Sequence, residues 1–167
     1  MHRRQGLLIL ALAVFVLCMA ESAAAAQSYT DAISGHEYFF TSTDGKFAGS
    51  ASGTLPGHWN ADVQHTPLCG SCTPTGTITG GSFHLLHGVS TLITGDFTGG
   101  SVQVTNPGAG CTNQTFAVKG VLGSVGPWYS GNGSGLFSVT LTHYRVSILG
   151  SCITYAASVA GTLTLTY

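Results

Sequence analysis

From Ile153 to Tyr167 the chain alternates residue by residue. Ile153, Tyr155, Ala157, Val159, Gly161, Leu163, Leu165 and Tyr167 fall on one side, and Thr154, Ala156, Ser158, Ala160, Thr162, Thr164 and Thr166 on the other. A period of two belongs to a β-strand, whose successive side chains point to opposite faces, and it predicts one face in the core and one in water. The preceding segment repeats the pattern, with Phe137, Val139, Leu141, His143 and Arg145 against Ser138, Thr140, Thr142 and Tyr144. Leu149-Gly150-Ser151 joins the two runs as a hairpin. No window after residue 27 sustains the i, i+3, i+4 rhythm of a helix, so the chain reads as all-β. Further strands are expected near 36–42, 46–55, 58–65, 75–86, 89–98, 101–105 and 115–122.

Glycine interrupts several of these runs, at Gly49, Gly53, Gly80, Gly81, Gly95, Gly120 and Gly161. Inside a strand it permits a bend or a bulge, which suits a coiled or closed sheet. Charged residues make up only 7% of the chain, too few to guard exposed sheet edges, and closure removes edges altogether. The expected architecture is therefore a small antiparallel β-barrel of about eight strands. A two-sheet β-sandwich gives the same alternation and is the alternative.

The N-terminus carries Arg3 and Arg4, an apolar run from Leu7 to Met19, and small residues ending in Ala24-Ala25-Ala26. That order is a secretory signal peptide, too short to span a bilayer, with cleavage expected after Ala26. Residues 27–167 then form one secreted or periplasmic domain with no membrane anchor. Its bases are Lys46, Lys119 and Arg145 and its acids Asp31, Glu37, Asp44, Asp62 and Asp96. No basic patch is available for nucleic acid.

Cys69, Cys72, Cys111 and Cys152 follow the leader, and an even count in an exported chain reads as disulfides. Zinc would need a second close pair, and a redox site would need the Cys69–Cys72 motif to open a helix. In an up-and-down meander Cys111 and Cys152 come to the same end of the sheet. Counting strands back puts the Cys69–Cys72 loop at the opposite end, so the expected pairs are Cys111–Cys152 and Cys69–Cys72. Asn113-Gln114-Thr115 and Asn132-Gly133-Ser134 match the N-glycosylation pattern. Trp128 and Tyr129 lie in a Gly/Ser-rich loop and are expected to pack on the domain beneath it.

Six histidines accompany these few charges. His65, His87 and His143 each sit where an apolar face runs out, Arg145 follows His143 on its face, and Glu37 shares a face with Phe39. They are the candidate ligand-binding residues, with Asp96 as a further carboxylate, for a polar pocket at a barrel mouth. His84 and His87 point to opposite faces of a strand and cannot chelate together, so no metal and no cofactor is expected. Hydrolase, zinc-protease and P-loop motifs are absent, and no catalytic residue is assigned. The first expectation is a non-catalytic module that binds a surface, a glycan or another protein. The alternatives are a barrel that carries a small apolar or amphipathic ligand, and an enzyme with a His/Arg/carboxylate pocket.

Overall fold

The computed structural model describes residues 26–68, 73–88, 90–129 and 131–167. Residues 1–25, on which the expected signal peptide falls, and the expected Cys69–Cys72 pair lie outside the described residues. Eight strands follow in order: β1 (Ser28–Phe40), β2 (Asp44–Gly53), β3 (Gly57–His65), β4 (Thr75–His87), β5 (Thr91–Asn106), β6 (Gln114–Pro127), β7 (Gly133–Ile148) and β8 (Ser151–Thr166). Each pairs antiparallel with the next, and β8 pairs back onto β1 from Ser28↔Thr166 to Gly35↔Val159, closing a barrel. This is the barrel of the sequence reading, and the sandwich is set aside.

The segments 89–98 and 101–105 are one strand. Phe97 faces Leu122 and Gly99 faces Val121, so Thr98 is left over as a bulge, and Gly100 takes φ 127°. Only glycine adopts that angle at little cost. The pair bends β5 without ending it. The strand count drops from nine to eight, which changes the parity of every earlier connection. The β1–β2, β3–β4, β5–β6 and β7–β8 connections all leave from one end of the barrel. The β3–β4 connection therefore leaves from the end that carries Cys111 and Cys152, and not from the opposite end as the nine-strand count expects. The Cys111–Cys152 disulfide itself is present, with Cα atoms 5.6 Å apart.

Bulges also correct the face assignments. Opposite Tyr144 and Arg145 of β7 stand Ala156 and Thr154 of β8, with Tyr155 extra. One inserted residue flips all that precede it to the other face. Ile153 and Tyr155, expected in the core, are 45% and 67% exposed, while Cys152 and Thr154 turn inward.

The lower interior is packed by aromatic rings. Phe137 lies 5.7 Å from Trp59, 6.3 Å from Phe83 and 5.7 Å from Phe97, centroid to centroid. Each fully buried ring of this kind stabilises by roughly 1.5–3 kcal/mol through burial, and each pair adds about 0.5–1.5 kcal/mol. The Trp59 indole N–H donates to the Ser50 carbonyl at 3.1 Å, so its polar end is satisfied. Gly120 makes room for this plug, since a Cβ there would lie 2.3 Å from the Phe97 ring. Outward positions carry Thr, Ser and Ala, as in Ser138, Thr140, Thr142, Ala160, Thr162 and Thr164. An apolar interior with a hydroxyl-rich outside is the reverse of the order in a transmembrane barrel.

Leu149 and Gly150 both take positive φ, at 51° and 79°, and make the two-residue turn between β7 and β8. Replacing Cys111 and Cys152 together by alanine is expected to cost about 4 kcal/mol, because the bond closes a sequence separation of 41. Urea melts of the two forms, each extrapolated to water with its own m value, check this. A loss below about 1 kcal/mol would mean that the reduced, unfolded chain already keeps the two segments close.

Candidate functional site at the barrel mouth

Glu37 and His143 come from β1 and β7, which are separated by β8, and both point into the barrel. A bulge at Tyr38 arranges this. Glu37 faces Phe47 and Phe39 faces Lys46, so the extra residue keeps Glu37 inside and turns Phe39 outward. The expectation that Glu37 shares a face with Phe39 is corrected accordingly, and Phe40 is the ring that returns to the mouth.

The Glu37 Oε2 and His143 Nε2 atoms are 2.5 Å apart, with side chains 3% and 8% exposed. Rings of Phe40 and Phe116 flank the imidazole, at 4.8 Å and 5.0 Å between centroids. Burial pushes the Glu37 carboxyl above its usual range, and the His143 hydrogen bond, then the charges of His143 and His65, partly offset the shift. Such a couple can hold or pass a proton at the edge of an apolar space.

That space is a cavity of about 250 Å³. Phe47, Val63, Val102, Val104, Phe116 and Leu141 form its apolar walls, and Glu37, Asp44, His65, Gln114, His143 and Arg145 its polar margin. His65 Nδ1 lies 2.8 Å from the Thr66 carbonyl oxygen. A carbonyl only accepts, so Nδ1 carries the hydrogen and neutral His65 offers Nε2 as an acceptor. Asp44 accepts hydrogen bonds from Thr43 Oγ1 at 2.7 Å and Thr41 Oγ1 at 3.0 Å, which lower its pKa. Arg145 Nη1 donates to the Gly108 carbonyl at 3.2 Å and reaches Pro107 at 3.5 Å.

The structure thus brings together Glu37, His65, His143 and Arg145. His87 is elsewhere: its Nδ1 donates to the Pro56 carbonyl at 2.9 Å, at the far end of the barrel. Asp96 is exposed on the outside. Among the described residues, no three His, Cys, Asp or Glu side chains converge to hold a metal ion. Sequence reasoning missed Asp44 and Gln114. The Asp44-Gly45 pair reads only as a turn, and Gln114 precedes the expected start of its strand.

It also missed Asp31, 1% exposed on the inner face, whose Oδ1 accepts the Leu55 N–H at 2.9 Å while Oδ2 has no partner among the described residues. Trp128 and Tyr129 do not pack down as expected. They are 60% and 71% exposed and both take positive φ, with Tyr129 edge-on to His84 at 6.0 Å. No protein family, curated protein or solved structure matches this chain.

Glu37→Gln removes the titrating group and leaves His143 a hydrogen-bonding neighbour. Glu37 holds its proton more tightly folded than unfolded, so its contribution to stability is complete below its ordinary pKa of 4.5 and is lost as pH rises through the higher folded value. The stability of the wild-type chain relative to Glu37→Gln is therefore expected to fall with rising pH above 4.5 and to be flat below it. Urea melts across the weakly acidic range check the sign. A difference that grows with pH would mean that pairing with His143 outweighs burial.

Proposed function

We propose that this protein is an exported barrel that binds a small, largely apolar molecule in the mouth cavity bordered by Glu37, His65, His143 and Arg145. The observation that carries the reading is the unfilled upper interior. Eight strands enclose just enough space for side chains to fill, and the aromatic plug fills the lower part, yet about 250 Å³ stays open above it. Ligand pockets for drug-sized molecules run to roughly 300–1,000 Å³, so the guest is smaller than these. At about 30 Å³ per water, the cavity equals roughly eight waters, which suits a compact ring or a short chain rather than a long lipid.

The Glu37–His143 couple favours a second reading, acid–base chemistry on the same guest. A carboxyl whose pKa is raised by burial and which is hydrogen-bonded to an imidazole is placed to give a proton to a guest or take one from it. In that case the guest would be a substrate. Binding is common to both readings.

2-Naphthol, a neutral fluorescent ring system of suitable size, is expected to bind saturably at one site. Val104→Trp, which puts a ring into the cavity from its half-buried wall, is expected to abolish that binding with little change in melting temperature. Unaltered binding to the variant, or no binding to the wild-type chain at millimolar probe, would remove the cavity from consideration. The exposed Trp128–Tyr129 turn would then be the surface to test.

A further inference from the structure

We infer that the guest carries a carboxylate, and that Arg145 anchors it at the cavity mouth. The inference rests on the cavity reading and narrows it to one ligand class, a short aliphatic or aryl monocarboxylate whose apolar body lies against Phe116, Val104 and Leu141.

The case is a comparison of how each charge at the mouth is met. Glu37 is met by His143 at 2.5 Å. Asp44 is met by two threonine hydroxyls at 2.7 Å and 3.0 Å. Arg145 lines the same cavity and is half-buried, yet its side chain meets neutral carbonyls of the β5–β6 connection, at 3.2 Å and 3.5 Å through one nitrogen. Among the described residues the ion pairs are Lys46–Asp62, on the outer face, and His143–Glu37, and none of their carboxylates answers Arg145.

A guanidinium presents five N–H donors in a flat fork that matches a carboxylate through two parallel bonds. Contacts from Nη1 alone leave most of that fork for a guest. The geometry also has a direction. Arg145 lies further along β7 toward the turn than His143, which follows the apolar positions Phe137, Val139 and Leu141. A carboxylate held by Arg145 therefore stays at the wet rim, where its desolvation is least, and its tail enters the apolar part. The reverse orientation would press an anion against Glu37.

The contacts to Gly108 and Pro107 also brace the loop ahead of Cys111. A variant at Arg145 could thus act through the loop, and the test must separate that from loss of the anchor.

Calorimetric titration with octanoate and with 1-octanol, at a pH where octanoate is ionised, compares two heads on one tail. Wild-type protein is expected to prefer octanoate by tenfold or more. Arg145→Gln is expected to erase that preference while 1-octanol binds as before. Equal affinity for the two probes, or a preference for octanoate that survives Arg145→Gln, overturns the inference and leaves the cavity reading standing. Failure of both probes on the wild-type chain overturns the cavity reading itself. If Arg145→Gln loses both probes, Arg145→Lys decides: a retained preference for octanoate supports the anchor, and a lost one assigns Arg145 to bracing the loop.

Discussion

The pairing of β8 with β1 is the constraint on which the rest depends. Without it the sheet would expose two long edges in a chain with few charges to protect them, and an open edge of this kind recruits other strands. With it, the inward-facing side chains below the mouth cavity pack against one another across a closed interior. The Trp59, Phe83, Phe97 and Phe137 rings can then form one cluster although they come from β3, β4, β5 and β7. Closure also brings Glu37 within reach of His143, because β1 and β7 become neighbours only through β8.

Closure and antiparallel order together decide what reaches the mouth. The C-terminal ends of β1, β3 and β7 all arrive at the same end, and these ends carry Glu37, His65 and the His143–Arg145 pair. His87 ends β4, an even-numbered strand, and must arrive at the other end. This sorting is only partly within reach of the sequence. Alternation gives each of these histidines its place at the end of an apolar face, but parity is only as good as the strand count. Splitting β5 into two would set His143 and Arg145 at the same end as His87 and away from Glu37 and His65.

The differences in strand count and in which side chains face inward share a cause. Three bulges, at Tyr38, Thr98 and Tyr155, decide which side chains face inward near the mouth or how many strands there are. A bulge adds one residue to one strand of a pair, so its signature lies in the partner's register and not in local composition. Gly99-Gly100 looks like a break between strands because glycine marks both turns and bulges. Nothing near Tyr38 or Tyr155 marks a bulge at all. Regular parts of the barrel, such as Phe137 to His143, are legible. The places where the chain departs from regularity are those that shape the mouth.

The mouth is also where this chain forgoes stability. Filling the upper interior with aliphatic side chains would add contacts that the open cavity lacks, and replacing a buried ionisable pair with apolar residues is often neutral or stabilising by about 1–4 kcal/mol. Instead the chain keeps about 250 Å³ open and places a desolvated carboxyl beside it. Its bulges then turn Glu37, Cys152 and Thr154 toward that space. Sites that break the rules followed elsewhere in a fold are where function is to be sought, and here the departures from packing, charge burial and strand regularity coincide at one end of the barrel.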